Sequence, residues 1–151
     1  MEIEEQYDKI YRFCLYRVQD RETAEDLTQE TFLRFMASRY EERGQGIRYL
    51  YAIARNLCIE ESRRIRAGEL PEDLSDGGAG SEELIEQIRV RQVLGTFPEK
   101  DRELLILRYL NGETIMDLCQ ITGLSRFAPY RKLKRLKKEF LRQLEGGGSH
   151  A

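Results

Sequence analysis

The chain has 151 residues, 40% hydrophobic and 34% charged, with a formal net charge of −2. That length can bury a real core and fits one domain or two small ones. Three Pro and no Trp beside abundant Leu, Glu, Arg and Ile favour an all-α fold over an all-β one, and the longest aliphatic run, Leu104-Leu105-Ile106-Leu107, is far short of the roughly 20 residues of a membrane span.

Tyr7, Ile10, Tyr11, Cys14, Leu15 and Val18 recur at helical spacing and predict a first helix over residues 3–18. Asp20 or Thr23 is placed to cap a second, whose apolar positions are Ala24, Leu27, Thr31, Phe32 and Phe35. A charged loop follows over 39–46. A third helix runs through Ile47, Leu50, Tyr51, Ala54, Leu57 and Cys58 and ends in Arg63, Arg64 and Arg66. Residues 67–83 read as a flexible acidic linker, since the stretch to Ser81 is rich in Gly, Pro, Ser and acid and has no apolar period.

Beyond the linker, Leu84, Ile88, Arg91 and Val93-Leu94 predict a fourth helix that stops near Gly95. Pro98, Glu99 and Asp101 suit the start of a fifth that runs to about Leu110. Asn111-Gly112 stops it. Thr114 caps a short sixth helix, Gly123 ends it, and Leu124 packs under the turn. Ser125 then caps a seventh, strongly basic helix to about Leu144, with Leu133, Leu136 and Phe140 on its core side. Short helix, turn with Gly, capped basic helix is the grammar of a helix-turn-helix. The tail 146–151 reads as a linker or appended segment outside the fold.

The charge is unevenly spread. Residues 1–66 hold 12 Lys/Arg and 13 Asp/Glu, residues 67–83 none and 6, and residues 84–151 hold 13 and 8. Eight basic residues and one acid, Glu139, lie between Arg126 and Arg142. A basic stripe in an acidic chain points to a polyanion-binding face. Cys14, Cys58 and Cys119 are odd in number and form no C-x-x-C pair, so buried reduced thiols are expected rather than disulfides or zinc. His150, in the tail, is the only histidine. Histidine-based catalysis and metal ligation therefore lapse. No charged-then-apolar leader opens the chain, so a secretory signal is not expected.

Two ordered blocks resemble a known family. Ala24-Glu25-Asp26-Leu27-Thr28-Gln29-Glu30-Thr31-Phe32-Leu33 resembles region 2 of the sigma-70 family, and residues 49–57 resemble its promoter-melting helix. Phe97-Pro98-Glu99 through Leu107-Arg108-Tyr109 resembles the opening of region 4. Over about residues 5–144 the pattern is similar to that of extracytoplasmic-function (ECF) sigma factors, which keep regions 2 and 4 joined by a linker. The family usually has Trp where Tyr49 stands and Gly-Thr-Val where Phe127-Ala128-Pro129 stands.

The resemblance implies two small helical domains: region 2 over 1–66, which binds core polymerase and recognises and melts the minus-10 element, and region 4 over 84–145, which recognises minus-35. Asp26, Leu27, Gln29, Glu30 and Phe32 would dock on the clamp helices of the largest polymerase subunit. Exposed acids and an amide suit a basic partner helix. Tyr40, Tyr49, Arg55, Asn56, Arg63 and Arg64 would meet minus-10 DNA. Asn can read a base edge, Arg holds phosphate, and Tyr40 is available for stacking. On the last helix, Arg126, Phe127, Tyr130, Arg131, Lys134 and Arg135 lie toward the groove-facing half. Lys132, Lys137 and Lys138 would add backbone attraction.

The expected function is promoter-specific transcription initiation by a cytoplasmic protein with no enzyme activity, cofactor or membrane insertion of its own. Its expected partners are core RNA polymerase, through the clamp helices and flap region, promoter DNA, and an anti-sigma factor. The competing reading is a sigma-like DNA-binding regulator that does not itself support initiation; a hydrolase lacks a catalytic base. Limited proteolysis should cut between about Gly68 and Ser81 and leave two folded fragments. A single protected core in the isolated chain would contradict the two-domain reading.

Overall fold

The computed structural model describes residues 3–18, 20–38, 46–68, 82–125 and 127–147, and every regular element among them is a helix. The chain divides into two compact units, Met1–Asp76 and Gly77–Ala151. The division falls in the stretch read as a linker, of which residues 69–81 lie outside the described residues.

In the first unit, α1 (Ile3–Val18), α2 (Arg21–Ala37) and α3 (Gly46–Arg66) all pack against one another. Asp20 settles the start of α2: its carboxylate accepts the Thr23 backbone N–H at 3.0 Å, satisfying a donor that has no partner within the helix. Ile10, Phe13, Cys14, Leu50, Tyr51 and Ala54 are fully buried. Phe13 meets Tyr51 edge to face with ring centres 5.2 Å apart. The buried face of α1 is therefore rotated from the stripe read in the sequence: Phe13 lies inside it, while Tyr7, Tyr11 and Val18 are half-buried at its margin. Two core positions of α2 are threonines. Their hydroxyls donate back to carbonyls four residues earlier, Thr28 to Ala24 at 2.6 Å and Thr31 to Leu27 at 2.7 Å, so burial leaves neither unsatisfied. Leu27 and Phe35, read as core, are only half-buried.

The Cys14 thiol is pushed well above its ordinary value, first by its hydrogen bond with Cys58 and then by burial. Both are inert core thiols; Cys119 is half-buried.

In the second unit, α4 (Glu82–Leu94), α5 (Glu99–Leu105) and α6 (Ile115–Thr122) each pack on α7 (Phe127–Gly147). Arg102 ties α4 to α5, donating to the Leu94 and Phe97 carbonyls at 3.0 and 3.2 Å. Pro98 stands one residue outside α5, as its cap.

The fifth helix does not run evenly to Leu110. After Leu105 it widens into a π-turn, Ile106–Leu110, in which the Asn111 N–H reaches back to the Ile106 carbonyl at 2.9 Å. Leu104, Leu105, Ile106 and Leu107 are all buried. Four consecutive residues cannot share one face of an α-helix. Here the segment is covered on more than one side, by α7 and by α6. The turn locally changes the winding between them.

Thr114 caps α6 by accepting the Asp117 N–H at 3.1 Å, and Gly123 ends it at φ 76°. Two sequence expectations fail around α7. Leu124 is 39% exposed rather than tucked under the turn. The residue between Ser125 and Phe127, where α7 is first described, lies outside the described residues, and with it the expected Ser125 cap. The helix also passes Leu144 to Gly147, taking in part of the tail read as outside the fold. No proline stops it there, and each helical glycine costs only about 1 kcal/mol.

Phe13→Ala should destabilise the protein by about 3–5 kcal/mol through the cavity it leaves. Gly123→Ala should cost roughly 1–2 kcal/mol, because an L-residue is strained at positive φ. Chemical denaturation of each variant measures both.

Candidate functional site

Three exposed helix faces carry the residues singled out in the sequence. On α2, burial of Ala24, Thr28, Thr31 and Phe32 turns Glu22, Asp26, Gln29, Leu33 and Met36 to solvent along one stripe. Leu33 is 63% exposed and Met36 62%. A stripe that begins with acids and an amide and ends in two large apolar side chains is not an ordinary solvated face. Glu30 is half-buried and accepts a hydrogen bond from Arg34 Nε at 2.8 Å. Phe32, expected as a docking contact, is buried and stacked on Tyr7 with ring centres 5.6 Å apart, so it lies beneath the exposed face. Leu33 and Met36 were missed because helical spacing alone assigns apolar residues to the core.

On α3, Asn56 and Arg63 are exposed on one side of the helix. Arg64 is held 3.0 Å from Glu61. Arg55 and Tyr49 are half-buried, and Tyr49 packs edge to face on Phe35 at 5.8 Å, which joins α3 to α2. Asn56 and Arg63 are thus the members of this set most open to a ligand. Tyr40 lies outside the described residues.

On α7, Leu133, Leu136 and Phe140 are buried as read, and Phe97 packs on Phe140 with ring centres 6.4 Å apart. Pro129, in the first turn, is buried as well. The opposite face presents Tyr130, 63% exposed, with Arg131, Lys134, Arg135 and Lys138. Arg126 lies outside the described residues; Phe127 opens the helix. Two of the three lysines read as diffuse charge have partners of their own: Lys132 Nζ is 2.8 Å from Asp101, and Lys137 Nζ is 5.3 Å from the centre of the Tyr109 ring. Glu139 is held down to about 2 from its usual 4.5, first by the hydrogen bond from Arg142 and then by that from Gln143. Sequence reasoning also passed over Glu103 and Glu113, polar residues buried around the π-turn, and read Asn111, buried with them, only as a helix stop. The Glu113 carbonyl accepts from Arg108 at 2.8 Å.

Among the described residues, no group of three or more His, Cys, Asp or Glu side chains could hold a metal ion, and no helix is long and apolar enough to cross a membrane.

These faces sit in a chain whose relatives are known. The Sigma-70 region 2 family model matches residues 3–67. The ECF RNA polymerase sigma factor SigD of Mycobacterium tuberculosis is 33% identical over 153 residues, covering 87% of this chain and 72% of that protein. SigC of the same species is 31% identical over 122 residues, covering 76% of this chain; the matched part is 65% of SigC's length. SigX of Bacillus subtilis is 28% identical, covering 91% of this chain and 81% of its own. The chain belongs to the ECF sigma factors of the sigma-70 family. The sigma factor RpoE of Bartonella quintana, solved in complex with the anti-sigma factor NepR, shares its fold, with a TM-score of 0.69 at 20% identity over 93% of this chain and 92% of that one.

Because Leu33 and Met36 are exposed, replacing both with Gln should change the free energy of unfolding by no more than about 0.5 kcal/mol each. Phe32→Ala should cost about 3–5 kcal/mol. A large loss in the double variant would mean that the face is buried.

Proposed function

We propose that the chain is a specificity subunit of bacterial RNA polymerase, which binds the core enzyme and directs initiation through minus-10 and minus-35 elements. Sigma factors are initiation factors, not catalysts by themselves. The Met1–Asp76 unit takes the core enzyme through α2 and the minus-10 strand through α3. The Gly77–Ala151 unit takes minus-35 DNA through α7. The work is cytoplasmic, where the polymerase is.

The observation that carries the reading is the α2 stripe: Asp26 and Gln29 run on into exposed Leu33 and Met36 inside the segment that matches region 2. Acid and amide pair with a basic partner helix, and the apolar end supplies the desolvated contact that gives such a surface its affinity. Leu27, half-buried, borders it. On α3, Asn56 reads a base edge while Arg63 holds phosphate. The flap region of the polymerase is a second contact, made by the region 4 unit. The structural neighbour's complex with NepR supports an anti-sigma partner here as well.

Run-off transcription with purified core polymerase on a promoter library tests the function. Transcripts from a defined subset of promoters are expected. Binding without transcripts would leave the sigma-like regulator instead. Asp26→Arg with Gln29→Ala should weaken capture by a clamp-helix fragment without changing the fold, and unchanged affinity would remove α2 as the docking face.

A further inference from the structure

Eight Lys and Arg fall between positions 126 and 142; Arg126 lies outside the described residues, and the structure divides the seven on α7. Arg142 is taken up by Glu139 on its own helix, at 2.9 Å through Nε. Lys132 reaches Asp101 on α5 at 2.8 Å; the side chains are 37% and 16% exposed. Lys137 lies over the ring of Tyr109 on the π-turn, 5.3 Å from its centre. The four others described, Arg131, Lys134, Arg135 and Lys138, are exposed and make no ion pair with a described residue. They fall at i, i+3, i+4 and i+7, which is one stripe of an α-helix.

Where the two held lysines sit matters. A helix turns roughly 100° per residue. Lys132 therefore lies on one flank of the buried Leu133, Leu136 and Phe140 row, and Lys137 on the other. The four-cation stripe points directly away from that row. Both ties run to the same stretch of chain, α5 and the π-turn that continues it. A helix held on both flanks cannot roll about its own axis, so the ties fix which side chains face outward. A cation already beside a carboxylate or a ring face also has less to gain from a phosphate.

We propose that Asp101 and Tyr109 are positioning residues for DNA recognition: by holding Lys132 and Lys137 on either flank of α7, they aim the Arg131–Lys134–Arg135–Lys138 stripe, which alone among the described cations of this helix meets the duplex. The proposal rests on the reading of α7 as the DNA-facing helix. It concerns the division of labour within that helix.

Full-length protein is titrated at several salt concentrations. The probes are a duplex selected from a random pool by the unaltered chain and an unrelated duplex of equal length. Differences between variants isolate α7, whatever the rest of the chain contributes. Lys134→Ala and Lys138→Ala should each flatten the plot of log affinity against log salt by about 0.9, and loss of all four stripe cations by about 3.6. Lys132→Ala and Lys137→Ala should leave the slope unchanged. They should instead reduce discrimination between the two duplexes by about tenfold, the equivalent of one good base contact. Asp101→Lys combined with Lys132→Asp should restore discrimination that each single change loses. Denaturation curves check that every variant folds.

If Lys132→Ala or Lys137→Ala flattens the slope as much as Lys134→Ala, these lysines are phosphate contacts and the proposal is wrong. If the Asp101/Lys132 exchange recovers stability but not discrimination, the pair is merely structural and the positioning role is wrong. If loss of the whole stripe moves neither slope nor affinity, α7 does not face DNA, and the reading beneath the proposal fails with it.

Discussion

A helix in a unit of about 75 residues has one core to pack on and can bury only one stripe of its surface. What it offers to a partner follows from the rotation that burial imposes. In the first unit aromatic contacts set that rotation. Phe13 against Tyr51 locks α1 to α3, Tyr7 on Phe32 locks α1 to α2, and Phe35 against Tyr49 closes the third side. With Phe32 held inward, Asp26, Gln29, Leu33 and Met36 must face out. The exposed face of α2 is thus a consequence of packing on its other side.

The second unit meets the same constraint with a less regular solution. Leu104 to Leu107 are buried without a break, which α-helical geometry does not allow on one face. The π-turn resolves the conflict by widening the chain where cover changes from α7 toward α6. The same turn carries Tyr109, which meets Lys137 of α7. A local irregularity in the core is thereby linked to the side of the helix-turn-helix that faces solvent.

Electrostatics in this chain is a matter of placement. A net charge of −2 predicts no affinity for DNA. Yet α7 collects four exposed cations on one side while Glu139 and Asp101 occupy two of its neighbours. The acids of α2 lie on a different unit, on an exposed face. Segregating the two signs keeps an acidic face and a basic face apart on one small acidic chain.

Much of this was legible in the sequence. The 3.6-residue period placed the helices within a few residues, and the cap chemistry of Asp20, Thr114 and Gly123 fixed boundaries, because these signals are local. The buried row Leu133, Leu136 and Phe140 was legible for the same reason. Other features needed the tertiary structure, since each depends on a neighbour distant in sequence. Periodicity cannot tell that Phe13 belongs inside α1 while Leu33 and Met36 of α2 stay outside, because spacing names an apolar stripe without saying what will cover it. It cannot separate Lys132 from Lys134, two lysines whose difference is an aspartate thirty-one positions earlier. Nor can it foresee that the Leu105–Ile106 junction leaves α-helical geometry, since that follows from burial on two sides at once. The sequence determined which helices form and which residues can bind; packing decided which of those residues are free to do so.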